Sequence, residues 1–306
     1  MSFFKRFIKS SDPTQEISKI LPISDCSATC SATECFTKYP SSFKLDPADL
    51  NSPLWETTKP YDLHILISTG ETNWQHDATD ISGSVLKKIS SWSSSKTALD
   101  HFSPKSNGIK VNVSSLPLPI DSNKYMDYKK NLVCDVLLLP FFIWCKGLTI
   151  ENHEDVLNTL LPILIKKRDS NDDSIEIPKQ IGDVIIEKDE SMAYVMLCSH
   201  KTRDKRCGIT APIMKKEFDL HLRELDLYRD ISDNRPKGVN VIFINHVGGH
   251  KFSANVLINL RSGEDIWYAK CSPLNVKPII DETILNHGKV FPEYVRIVQK
   301  YNPINW

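Results

Sequence analysis

No stretch of this sequence is apolar for long enough to cross a bilayer. The longest such run, Val136 to Cys145, is far shorter than the roughly 20 residues that a spanning helix requires. A charged-then-apolar signal peptide is missing as well, so neither secretion nor membrane insertion is expected. There is no excess charge of either sign: 38 Lys and Arg balance 38 Asp and Glu. With no global field to gather polyanions, nucleic-acid binding has no compositional support. A CxxC motif is absent, which argues against a thioredoxin-type dithiol enzyme, and so is any glycine motif for flavin or nicotinamide. Eight cysteines in 306 residues are too sparse for a disulfide scaffold. They point instead to reduced thiols, a metal site or redox chemistry.

What is present reads as a soluble α/β protein of two ordinary domains, with 41% hydrophobic residues to build a core. Residues 1 to about 60 alternate Ser, Thr, Pro, Asp and Lys without apolar period and read as a poorly ordered leader. At its start, Phe3, Phe4, Phe7 and Ile8 with Lys5, Arg6 and Lys9 suggest a short basic helix. Asp12, Pro13 and Glu16 interrupt it, and transit peptides avoid acids. The expected compartment is therefore the cytoplasm, with the nucleus also open, rather than the mitochondrion.

Regular structure is expected from Tyr61. Leu63, Ile65 and Ile67 mark a strand, and Val85, Ile89 and Trp92 mark one face of a helix. IKVNVSSL alternates, CDVLLLPFFIW is an apolar block broken by Pro140, and Val156, Leu157, Leu160, Leu161 and Ile163 suggest a closing helix. These make a β-α-β-β-α domain over 61–180, ending after the charged run 166–174. A second domain over 181–306 repeats the order. AYVMLC is a strand, Pro212 opens a helix through Ile213, Phe218, Leu222 and Leu225, and VNVIFIN, ANVLINL and DIWYAKC are strands. A last helix is expected from about Pro273 to Leu285. The similar order hints that the two α/β domains are related.

The chemistry concentrates in the second half. Cys198 and Cys207 lie in CSHKTRDKRCG, at a strand end and before a helix, and HVGGH supplies His246 and His250 after the next strand. Strand ends and their loops are where a scaffold presents functional side chains. Two glycines between the histidines permit backbone conformations closed to other residues, so both imidazoles can turn to one centre. As a helix the pair would cost about 2 kcal/mol of propensity, so HVGGH reads as a loop around a ligand.

The pattern Cys-x8-Cys, helix, strand, then a pair at x3 spacing resembles the thioredoxin-like 2Fe-2S ferredoxins. In that family the second pair is usually cysteine. Histidine at both positions, within CSHKTRDKRCGITAP and NHVGGHKFSANV, is similar to the sucrase/ferredoxin-like branch, and WQHDA at Trp74 and LLLPFFIW extend the likeness. The resemblance implies a thioredoxin-like ferredoxin fold for the C-terminal domain and a cytosolic electron-transfer protein with one 2Fe-2S cluster. Cys198 and Cys207 would ligate one iron as thiolates, and His246 and His250 the other as neutral imidazoles. Imidazole in place of thiolate raises the reduction potential, and its outer nitrogen can carry a proton, so proton-coupled redox chemistry is expected. The same donors also suit zinc, which leaves a zinc-stabilised Cys2His2 interaction or scaffold protein as the alternative. Eight intervening residues favour the larger inorganic core.

Around this set, Lys201, Arg203, Lys205 and Arg206 form a positive loop suited to an acidic reductase. A separate reductase and an acceptor are expected partners. His200, where strand gives way to loop, is expected at the surface, and His221 is expected to be structural. Cys26, Cys30 and Cys35 are expected to be exposed reduced thiols, and Cys134, Cys145 and Cys271 buried small hydrophobes. Trp74 and His76 suit either a core cap or a cover for a site. Trp306 resembles the C-terminal aromatic tripeptide through which the cytosolic iron-sulfur assembly machinery recognises its clients, although Asn305 stands where an acid is usual.

Overall fold

The computed structural model describes residues 12–102, 104–120, 123–170, 172–230, 233 and 235–304, apart from the side chains of Leu50 and His250. Among the described residues, eleven strands form a single sheet. The first half contributes β1 (Leu63–Ser68), β2 (Ile109–Ser114), β3 (Val133–Leu139), β4 (Ile143–Thr149) and the small hairpin β5 (Gln180–Ile181) and β6 (Val184–Lys188). The second contributes β7 (Ala193–Cys198), β8 (Val239–Ile244), β9 (Val256–Leu260), β10 (Glu264–Tyr268) and β11 (Val295–Lys300). Their order across the sheet is β11-β10-β9-β7-β8-β2-β1-β3-β4-β6-β5.

Each half repeats one pattern. In the first, β1 runs parallel to β2 and antiparallel to β3, which pairs with β4. In the second, β7 runs parallel to β8 and antiparallel to β9, which pairs with β10. This is a thioredoxin-like strand arrangement, present twice. The halves join where β2 meets β8 antiparallel at Ser114 and Ile244. The Ser115 amide donates to the Phe243 carbonyl at 2.9 Å, and the Asn245 amide to that of Val113 at 3.1 Å.

Strand composition follows from burial on both faces. In β1, Leu63, Ile65 and Ile67 pack beneath the helices Val85–Trp92 and His153–Ser170. In β7, Ala193, Val195 and Leu197 pack beneath the helix Lys205–Glu224. The alternate residues Leu66, Tyr194 and Met196 turn the other way into a third core shared by both halves, with Leu137, Leu257 and Trp267. Phe142 meets Tyr194 there at 6.0 Å between ring centroids, and Tyr61 meets Trp267 at 6.3 Å. A strand covered on both sides reads as a continuous apolar run because neither face is left to water.

Several expectations need correction. The leader is not loose over 12–60: Ile17, Leu21 and Ala28 are buried in the second-half core, and Ile23 bridges to Val290. Its apolar residues dock one at a time, so they show no period. The basic segment that precedes it lies outside the described residues. The passage between halves falls at 189–192 rather than near 180, because β6 pairs with β4. The helix expected to open at Pro212 begins at Lys205, where the Asp204 side chain caps it by accepting from the Arg206 amide at 2.8 Å. The last expected helix is a short composite of 3-10, α and π turns from Pro273 to Ile284, and the closing strand β11 follows it. Among the described residues no helix is long and apolar enough to cross a membrane.

Candidate metal centre

Cys198 is the last residue of β7, and the parallel register sets it beside Ile244 at the end of β8. The chain leaving β8 therefore delivers His246 to the same end of the sheet. Cys207 returns to that point in the first turn of the helix Lys205–Glu224. Donor atoms of Cys198, Cys207 and His246 all lie within 4.8 Å of one another. Both cysteines are buried, and their sulfurs are 3.5 Å apart. Two thiolates on one tetrahedral metal at about 2.3 Å would stand about 3.8 Å apart, so the pair fits a shared metal atom with little movement.

The electrostatics also suit a metal. The Cys198 thiol donates to Cys207, which with further hydrogen bonds from His246 and Ser253 brings the Cys207 pKa down to about 5 against the opposing effect of burial. That same hydrogen bond, with burial, pushes Cys198 well above the ordinary thiol range. Cys207 is therefore the more readily ionised of the two thiols. A helix N-terminus next to Cys207 adds further support for negative charge there.

Gly248 and Gly249 take φ values of +81° and +70°, the left-handed region where a side chain is strained. Gly249 is also pressed against Arg296, whose guanidinium would lie 2.7 Å from any Cβ built on it. Arg296 is buried in β11 and donates to the Gly248 carbonyl at 3.0 Å and to Asn255 Oδ1 at 2.8 Å. Asn255 in turn donates to the Gly249 carbonyl at 3.2 Å and accepts the Cys198 amide on its own carbonyl at 3.4 Å. These two residues fix the HVGGH loop against the strand that ends in Cys198. His250 opens the short turn His250–Phe252 that follows, and its side chain lies outside the described residues.

His200 departs from expectation. It is fully buried, donating from Nε2 to the carbonyls of Trp74 and Gln75 at 3.1 and 2.9 Å and accepting the His246 amide on Nδ1 at 3.2 Å. Burial lowers its pKa, so it acts as a neutral brace rather than a ligand. Trp74 stands edge-on to it at 5.9 Å. Nearby, Ser199 donates to the Thr72 carbonyl at 2.7 Å and the Thr202 amide to Asn73 at 3.0 Å. The WQHDA loop of the first half thus clasps the loop between the two cysteines. Beside it, His76, Asp77, Asp80, Arg203 and His246 line a cavity of about 340 Å³.

The positive loop is largely neutralised: Arg203 pairs with Asp77 at 3.2 Å and Arg206 with Asp204 at 3.0 Å, leaving Lys201 and Lys205 exposed. His221 is buried against Glu217 at 3.0 Å. Cys134, Cys145 and Cys271 are buried, while Cys26 is exposed and Cys30 and Cys35 are half-buried. Asn305 and Trp306 lie outside the described residues. The residues missed in the sequence are Arg296, Asn255 and Ser253. The first had a visible signal, a lone charge inside the apolar run YVRIV.

Fold and donors define an α/β protein of paired thioredoxin-like units that gathers two buried thiols and an imidazole at one sheet end. More particularly, the chain belongs to the sucrase/ferredoxin-like family, whose model matches residues 54–297. It is similar to Actin patches distal protein 1 of Saccharomyces cerevisiae, with 41% identity over 82% of this chain and 78% of that protein. It is also similar to Altered inheritance of mitochondria protein 32 of Meyerozyma guilliermondii, at 30% over 58% of this chain and 59% of that one. The protein of the same name from Clavispora lusitaniae is 29% identical over 52% and 51%. No solved structure matches the chain.

Proposed function

We propose that the chain is an electron-transfer protein carrying one 2Fe-2S cluster on the thiolates of Cys198 and Cys207 and the imidazoles of His246 and His250. The observation that carries this reading is the convergence of Cys198, Cys207 and His246 donors within 4.8 Å in a buried site. A bound cluster supplies one-electron redox chemistry, at a potential raised by imidazole ligation. The protein's own part is to present two buried thiols side by side, with Cys207 the more readily ionised, and to hold the HVGGH loop with Arg296 and Asn255. His246 also lines the open cavity beside the site. Electrons come from a separate reductase and pass to an acceptor, in the cytoplasm or the nucleus, and cluster delivery uses Trp306 as its handle.

Metal and sulfide analysis of the purified chain tests the reading. Two irons and two acid-labile sulfides per chain, with absorbance at roughly 400 to 550 nm, are the expected result. Serine at Cys198 or Cys207 removes that absorbance, and serine at Cys26 leaves it. One zinc with no sulfide overturns the proposal in favour of a zinc-stabilised interaction protein.

A further inference from the structure

Away from the metal centre, Cys30 and Cys35 stand with their sulfurs 3.1 Å apart in a hydrogen bond between thiols. We infer that they form a second redox site, a dithiol–disulfide couple that exchanges with low-molecular-weight disulfides of the glutathione class. Both are half-buried, open enough for a small disulfide to reach, whereas Cys134, Cys145 and Cys271 are closed off.

The closeness is set by backbone rather than by side-chain rotation. The Cys30 amide is held by the Leu274 carbonyl at 2.8 Å. The turn between the thiols is tied by Glu34, which accepts from the Ser31 amide and hydroxyl at 2.9 and 2.7 Å. Beyond Cys35, the amides of Phe36 and Thr37 donate to the carboxylate of Glu217 at 3.0 and 2.6 Å. Glu217 is itself buried on the helix Lys205–Glu224. Both ends of the segment are therefore anchored to the second half, and the thiols cannot drift apart.

The surroundings give the two sulfurs different tasks. The ammonium of Lys277 is close enough to interact with Cys30, which is the attacking sulfur. Cys35 is pushed up to about 12 by burial and by its hydrogen bond with Cys30, so it waits as a thiol. The Cys30 thiolate attacks one sulfur of glutathione disulfide, the S–S bond breaks, and one glutathione thiolate leaves. With Cys30 now a mixed disulfide, Cys35 is released from that hydrogen bond. It loses its proton, attacks the Cys30 sulfur and expels the second glutathione. Two protein thiols are oxidised to one disulfide and one glutathione disulfide is reduced to two thiols, the two glutathione thiolates taking up the two protons that the protein thiols give up.

The site is tested without reference to the metal centre, because Cys26, Cys30 and Cys35 all fall in the tryptic peptide 20–38 and Cys198 and Cys207 do not. The full chain is equilibrated with glutathione disulfide, quenched with acid, alkylated and mapped by mass spectrometry. In the wild type and in Cys26→Ser, a Cys30–Cys35 disulfide is expected. Cys35→Ser should accumulate glutathione on Cys30, and Cys30→Ser should react at least tenfold more slowly than the wild type. Cys30 and Cys35 remaining alkylatable in excess glutathione disulfide overturns the proposal, as does a wild-type disulfide that includes Cys26. Failure here leaves the metal analysis untouched, and a zinc-containing chain that still forms the disulfide sinks only the cluster.

Discussion

His200 accepts the backbone amide of His246 on Nδ1 at 3.2 Å while its Nε2 is spent on two carbonyls of the opposite half. One ring thereby sets both its own tautomer and the direction of the HVGGH loop, the orienting role that an outer residue would play if the proposed cluster is bound there. His200→Ala should lower stability by about 2–3 kcal/mol, because a buried amide and two carbonyls lose their partner. Visible absorbance should weaken without vanishing. Complete loss at full folding would make His200 a ligand.

The two loop glycines should not respond alike. A Cβ on Gly248 meets nothing within 4 Å, whereas one on Gly249 collides with the Arg296 guanidinium. Gly248→Ala should cost about 1 kcal/mol of backbone strain and Gly249→Ala about 3. Urea denaturation of both reads the gap, and equal costs would show that Arg296 yields freely.

Asp265 lies fully buried near Tyr61 and Lys110, and burial pushes its pKa up to about 7. A carboxyl raised from the ordinary value stabilises the fold only while protonated. That contribution is complete below about pH 4 and is lost as pH rises through about 7. Asp265→Asn keeps the uncharged form at every pH. Relative to the wild type it should gain about 2–3 kcal/mol between pH 5 and pH 8. A difference that does not change with pH refutes the assignment.

If His246 and His250 hold a proton that follows the electron, the reduction potential should fall with rising pH above the pKa of the oxidised form. The limit is about 59 mV per unit for one proton and one electron. Cysteine at both positions should lower the potential and flatten the slope. Protein-film voltammetry from about pH 6 to 10 on both forms decides, and a flat wild-type response removes proton coupling through these residues.

Much of this architecture was legible from patterning. Leu63, Ile65 and Ile67 announced β1, and the Gly-Gly pair announced a turn that only glycine tolerates. The Cys-x8-Cys spacing with HVGGH pointed to the sheet end where Cys198, Cys207 and His246 converge, because each of the three sits next to a strand or helix end. His200 was misread because local position sees only its own strand, while its partners come from residues 74 and 75, across the junction. Asn255 was invisible for the same reason. The short strands β5 and β6 carry too few residues to show a period, and the docking of Ile17 and Leu21 is purely tertiary.

The antiparallel join of β2 to β8 conceals one edge of each half. Cut the chain at 189–192 and both fragments would bare a row of unpaired amides and carbonyls, the template on which sheets stick to one another. Leu66 and Met196, now facing a common interior, would be bared with them. The first half carries Ser68 where the second carries Cys198 in the matching strand position, yet it cannot be dispensed with: a fragment reduced to the half that carries Cys198 and Cys207 would be a candidate for aggregation before it could be assayed for anything else.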